Sequence, residues 1–192
     1  MRIKFKSGTT VSPPSANSPL IRCDNDPNMR DYFGCAFYQA PPVLDYSAKA
    51  NIGDFNAHVA RAQQSGLPGA PNGAPLNRVY EPTISQNRRG ACGPVTGPRE
   101  TVSCDEYPFG SSDQGGRVGG PYTGPARTYN GCQIPMLPSR PLLQSPVEYY
   151  NNLGHSVCLI PKSQNNRAGT FLSWFYTQSR VIAGDKFYVK AQ

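Results

Sequence analysis

Apolar residues in this chain come in short bursts with two distinct periods. In DFNAHVARAQQSG (54–66), Phe55, Val59 and Ala62 fall on one face at spacings of three and four. Asp54 is placed to cap the first turn and Gly66 to end it, so a helix is predicted there, followed by loop in LPGAPNGAP (67–75). In RAGTFLSWFYTQSR (167–180), Phe171, Trp174, Phe175 and Gln178 recur at the same interval, predicting a second helix capped by Ser163 or Asn165. A period of two marks Lys186 to Lys190 as a strand, with Phe187 and Val189 alternating against Lys186, Tyr188 and Lys190 after a turn at Gly184-Asp185. Shorter strands are expected at Val157 to Ile160, stopped by Pro161, and at Thr101 to Cys104, running into Asp105-Glu106. Residues 110–127 are Gly-rich and polar, the pattern of a long, mobile surface loop. The order is strand, long insertion, strand, helix, and the expected class is α+β.

Composition narrows this to a small, loop-rich domain. Of 192 residues only 38% are apolar, with 20 Pro and 19 Gly, so regular elements should be short and joined by many turns. Eleven Tyr and eight Phe with a modest net charge favour an ordered chain over a disordered one. The stretch SGTTVSPPSANSPL (7–20) is Pro- and Ser-rich, so residues 1–20 are expected to be a flexible lead-in and 21–192 a single domain. No internal repeat is visible. No apolar run approaches the ~18 residues of a membrane span, so membrane insertion is not expected.

The six cysteines, Cys23, Cys35, Cys92, Cys104, Cys132 and Cys158, contain no CxxC pair. An even number in a loop-rich chain points to three disulfides and an oxidising compartment, hence a secreted or extracellular protein. Six cysteines allow fifteen connectivities. Nearest-neighbour pairing is the expected one, because each pair closes a loop of moderate length, and a reduced, buried set is the alternative. Met1 to Lys6 is basic but lacks the apolar stretch of a signal peptide. Export would then rely on a removed signal, a longer parent polypeptide or a dedicated secretion machine.

The formal net charge of +7 favours polyanionic partners. Arg88, Arg89, Arg99, Arg117 and Arg167 are candidates for phosphate contacts, although each taken singly is more often an ordinary surface charge. Cleaving a phosphodiester requires a group to activate water, a divalent cation to polarise the phosphate and positive charge to hold the backbone. Asp105-Glu106 is the candidate acidic pair. On an extended strand the two side chains point to opposite faces, and a backbone turn at Tyr107-Pro108 would be needed to bring both to one site. Asn165, near the start of the second helix, offers an amide oxygen to a cation, or else simply caps the helix. Arg167 in the first turn of that helix would add positive charge where phosphate oxygens bind. His58 lies on the first helix, where a partly buried, hydrogen-bonded histidine is commoner than a catalytic one. His155 is a weaker candidate. Tyr107 and Trp174 are able to stack on bases, yet a Trp on an amphipathic helix is usually core.

At this point the motifs carry a resemblance. SCDEYPF (103–109) resembles the signature of the NucA/NucB family of secreted bacterial deoxyribonucleases, and IPKSQNNRAGTFLSWFYTQSRVIAGDKFYV (160–189) is similar to that family's C-terminal block. CDNDPNMRDYFGCAFYQAPPVLDYS (23–47), NAHVARAQ (56–63) and NRRGAC (87–92) look like actinobacterial-type members. The resemblance implies a metal-dependent, sequence-nonspecific DNA endonuclease using Mg²⁺ or Mn²⁺, with a core like that of the ββα-metal nucleases. It implies Asp105 as the catalytic acid, Glu106 as its companion and Asn165 as a metal ligand. It also implies an acid just before that Asn, where this chain has Gln164, so a metal role for Gln164 would be weakened by the missing charge. The sequence thus supports a nuclease, secreted or forming the toxic tip of an exported polypeptide, with DNA as substrate. A toxin of that kind would call for a cognate immunity protein, or for disulfides that form only after export. The alternatives are a catalytically impaired nucleic-acid-binding relative, disarmed at Gln164, and a disulfide-rich interaction module.

Overall fold

The computed structural model describes residues 20–29, 32–95, 100–129, 132, 143–145 and 153–191. Arg99 and most of the lead-in lie outside them. In chain order the elements are β1 (Arg22–Asn25), β2 (Phe33–Ala36), β3 (Val43–Asp45), α1 (Gly53–Gln64), β4 (Leu76–Asn77), α2 (Thr83–Cys92), β5 (Val102–Tyr107), β6 (Ala126–Tyr129), β7 (Leu143–Ser145), β8 (His155–Pro161), α3 (Lys162–Gln178) and β9 (Lys186–Lys190). The α+β expectation holds, with three helices and three small sheets among the described residues.

The central sheet has the order β5-β8-β6-β7. Its second strand, β8, is buried from His155 to Ile160 because both faces are covered, which is why it reads as a continuous apolar run. Cys158 and Ile160 face α1 and α3, while Val157 and Leu159 join Ala91 and Val95 on the α2 side. β5 pairs antiparallel with β8, Asp105 opposite Cys158 and Glu106 opposite Val157, and it forms the sheet edge. A second sheet, β3-β9-β4, closes the main core with Phe187 and Val189, both fully buried, as the alternation in 186–190 predicts.

The apolar face read from 54–66 is confirmed: Phe55, Val59 and Ala62 are all buried. Its start differs, because α1 has Ile52 at the capping position and no side chain of its own caps it. The second helix also starts earlier than its pattern suggests. It begins at Lys162, directly after β8, so Asn165 sits within the helix and neither it nor Ser163 is a cap. Its buried seam is Ala168, Phe175 and Tyr176, with Phe171 and Leu172 packed at the margin. Trp174 is therefore not core and stands 58% exposed. That seam is set by which turn of α3 meets β9 and α1, information absent from the spacing of its aromatics.

The expectation of a mobile surface loop over 110–127 is also corrected for its first half. Gly110, Ser111, Ser112, Gln114 and Gly115 are buried. Asn87 of α2, fully buried, makes this possible by donating its amide to Gly110 O at 2.8 Å and Ser112 O at 2.7 Å. A polar segment can be interior once its backbone groups have partners.

All six cysteines pair with their nearest neighbours, Cys23–Cys35, Cys92–Cys104 and Cys132–Cys158. The first crosses the β1–β2 hairpin, where Cys23 and Cys35 lie directly opposite. That hairpin is tied to the body by Arg180, which donates to Asp24 and to Tyr32 O, and by an ion pair of Arg22 with Asp185. The second disulfide pins the end of α2 to β5. No helix among the described residues is long and apolar enough to cross a membrane.

Candidate active site

β5 is an edge strand, so its two faces can open on one depression without any turn at Tyr107-Pro108. Asp105 and Glu106 remain in regular strand and project to opposite sides of the sheet. A cleft of about 860 Å³ wraps this edge, walled by β5, the end of α2 and one stripe of α3. Asp105, Glu106, Arg88, Lys162, Asn165 and Trp174 all line it.

Asp105 lies on the α1 side and is 4% exposed. His58, fully buried on α1, holds it: Nδ1 is 2.6 Å from Asp105 Oδ2, and Nε2 is 2.9 Å from Ser156 Oγ on β8. A carboxylate only accepts hydrogen bonds, so Nδ1 donates to Asp105, while Nε2 and the Ser156 hydroxyl complete the ring's second hydrogen bond. Burial pushes the Asp105 carboxyl up from its ordinary value and the His58 contact opposes that push. The histidine expected to be partly buried and hydrogen-bonded is hydrogen-bonded and fully buried, and one of its partners is the candidate catalytic acid.

Glu106 lies on the α2 side with its side chain 15% exposed. Burial first, then the charge of Asp105, pushes its carboxyl up to about 7, against the pull of Arg88 and a backbone hydrogen bond from Gly110. Arg88 Nε is 3.9 Å from Glu106 Oε1 and its side chain is 65% exposed, leaving it open to a ligand. A Cβ on residue 110 would come within 2.9 Å of both Arg88 Cγ and Glu106 Oε1, so only glycine lets the chain pass this close.

Asn165 donates its amide nitrogen to Ser103 Oγ at 2.9 Å and Cys104 O at 3.1 Å, which fixes the side chain against β5 at the cleft. Gln164 takes a different place. Its Oε1 accepts the Asp54 backbone N–H at 2.8 Å and its Nε2 donates to Asp54 Oδ2 at 2.8 Å. Gln164 thus caps α1 from a neighbouring helix, which explains why α1 needs no cap of its own. It does not line the cleft.

The remaining candidates separate. Arg117 is committed to Asp113 Oδ1 at 2.6 Å and to Asn87, away from the cleft. Arg89 and Arg167 are exposed but outside the cleft wall, and Arg167 is the sixth residue of α3, beyond its first turn. Lys162, the first residue of α3, occupies the position expected for Arg167. Tyr107 is fully buried, donating to Pro68 O and accepting from Gln63, so it cannot stack on a base. His155 is buried near Gly116, remote from the cleft lining. Sequence reading missed Lys162, because its helix was started too late, and the His58–Asp105 contact, which joins residues 47 apart.

No family model, curated protein or solved structure matches the chain. The resemblance to the NucA/NucB nucleases consequently rests on the motifs themselves.

Proposed function

We propose that the protein is a metal-dependent endonuclease that hydrolyses phosphodiester bonds of DNA with little regard for sequence, acting outside the cell that makes it. The observation that carries this reading is the edge-strand cleft, lined by two adjacent carboxylates from opposite faces of β5, the Asn165 amide and two exposed cations. β5 pairs with β8, and α3 follows β8 directly and returns to the β5 edge at the cleft, an order that supports a ββα-type nuclease core. The three disulfides fit an oxidising destination.

Among the described residues no group of three His, Cys, Asp or Glu side chains gathers as a metal cage. Mg²⁺ and Mn²⁺ do not demand one, since Mg²⁺ in particular keeps several waters and is held by about one or two carboxylates. Asp105 and the Asn165 amide oxygen are hard donors on the cleft wall and would hold such a cation, which polarises a phosphate oxygen when bound. His58 fixes the direction of the Asp105 carboxylate. Glu106, the more open acid, takes the proton from the attacking water. Arg88 and Lys162 bind non-bridging phosphate oxygens and favour the charge that builds on them in the transition state.

Plasmid degradation by the oxidised protein tests the reading. Cleavage is expected with Mg²⁺ or Mn²⁺, with loss under chelator and a drop of at least about a hundredfold in Asp105→Asn and Glu106→Gln. Cleavage that persists in chelator or in both variants rules this site out. DNA binding without cleavage under any cation would favour the impaired, nucleic-acid-binding relative.

A further inference from the structure

The wall that α3 gives the cleft runs through Lys162, Asn165, Gly169 and Ser173 with Leu172 at one margin, and ends at its rim on Trp174, about half a turn around the axis from Asn165. Apart from Leu172 and Trp174 these positions are small or polar. Gly169 leaves open space where a side chain would stand, with nothing within 4 Å of a Cβ there. At the far end the only tryptophan of the chain is 58% exposed, although indoles are among the groups that gain most from burial. Trp174 is braced, however. Phe171 meets it edge-on at 6.2 Å between centroids, and Phe171 in turn packs at the core margin with the Lys49 ammonium 5.2 Å from its ring. An exposed, braced ring on the rim of a cleft that also carries Arg88 and Lys162 is a stacking surface.

We propose that Trp174 receives an unpaired nucleobase, making single-stranded nucleic acid the preferred ligand of this cleft. A paired duplex offers its phosphates and sugars to a surface like this, and its bases are already stacked, so an indole outside the helix gains nothing from them. An unpaired base has a free π-face. The spacing agrees with a site for a neighbouring nucleotide and not the one being cut: the step of nine residues from Asn165 to Trp174 rises about 13 Å along α3. Contacts of this kind are sequence-tolerant, and they act equally on deoxyribose and ribose strands. The proposal rests on the nucleic-acid reading of the cleft but not on hydrolysis.

The full chain in chelator, so that nothing is cut, is titrated with oligothymidylate, oligouridylate, a hairpin-closed duplex and inorganic polyphosphate, following emission from Trp174. Both single strands are expected to quench the emission and saturate, while the duplex and polyphosphate quench weakly. With a labelled oligothymidylate, Trp174→Leu should weaken binding roughly tenfold and Trp174→Phe should recover most of it. Duplex quenching equal to that of single strands, or unchanged affinity in Trp174→Leu, overturns the proposal. The plasmid assay run in parallel separates the two readings. Stacking without cleavage defeats hydrolysis alone, and cleavage without stacking defeats this inference alone.

Discussion

Asp105 and His58 are both interior, and each satisfies the other. Removing the imidazole leaves a carboxylate in a dry environment without its donor, a situation that costs about 3 kcal/mol in comparable buried pairs. His58→Ala is therefore expected to lower the unfolding free energy measured in urea by that order and to abolish cleavage. Gln164 presents the opposite case, a residue whose amide matters on both ends. Gln164→Glu keeps the acceptor for the Asp54 N–H but turns the Nε2 donor into a second carboxylate facing Asp54 Oδ2. The variant should lose about 0.5–1 kcal/mol by urea denaturation, regained in the Asp54→Asn, Gln164→Glu double variant. No gain in cleavage is expected, since Gln164 does not line the cleft.

Among the elements, β5 is an edge strand that holds both candidate acids, paired on one side only, with β8. The Cys92–Cys104 disulfide compensates by joining it to α2, the helix that carries Arg88 and Asn87. Closing a loop with a sequence separation of 12 stabilises a fold by about 3 kcal/mol on the chain-entropy account. Cys92→Ser with Cys104→Ser should lower stability by that order and reduce cleavage more than the corresponding change at Cys23 and Cys35, which lies across a hairpin remote from the cleft. The β1–β2 hairpin depends on charge instead. Burial alone would raise the Asp24 carboxyl, but hydrogen bonds from Arg180 and Arg22 outweigh it, so its folded-state value is lowered below 3.8. A lowered acid contributes stability that is complete above the unfolded value and is lost as pH falls through the folded one. Asp24→Asn should thus be less stable than the parent at neutral pH, with the difference shrinking below about pH 4 in thermal melts.

For the molecule as a whole, the +7 charge is available to a polyanion only where cations stay open to solvent. Binding to DNA in chelator should weaken steeply with salt, the logarithm of affinity falling by about 0.9 per phosphate neutralised for each logarithmic step. Arg88→Ala should reduce that slope by about one unit, because its side chain is largely open. Arg117→Ala should leave the slope unchanged, because Asp113 and Asn87 already hold that guanidinium. Counting arginines would treat the two alike.

Much of the architecture was legible in the chain. The faces of α1 and β9 followed from periods of 3.6 and 2, the β8 run from its continuous apolarity, and the disulfide pairing from loop length. These are local properties, carried by neighbours a few residues apart, and the physics that reads them is equally local. Short elements such as α2, β4 and β6 left no such trace, since stretches of two to ten residues this poor in apolar side chains carry too little periodicity. What the tertiary structure alone decided was contact between distant residues. It turned α3 so that Trp174 faces the cleft and Phe175 the core, set Gln164 on the first turn of α1, and buried the Gly-rich segment over Asn87. It also seated His58 against Asp105. Each of these depends on which surface meets which when the sheet and helices pack, a choice made by the whole burial pattern and encoded at no single position.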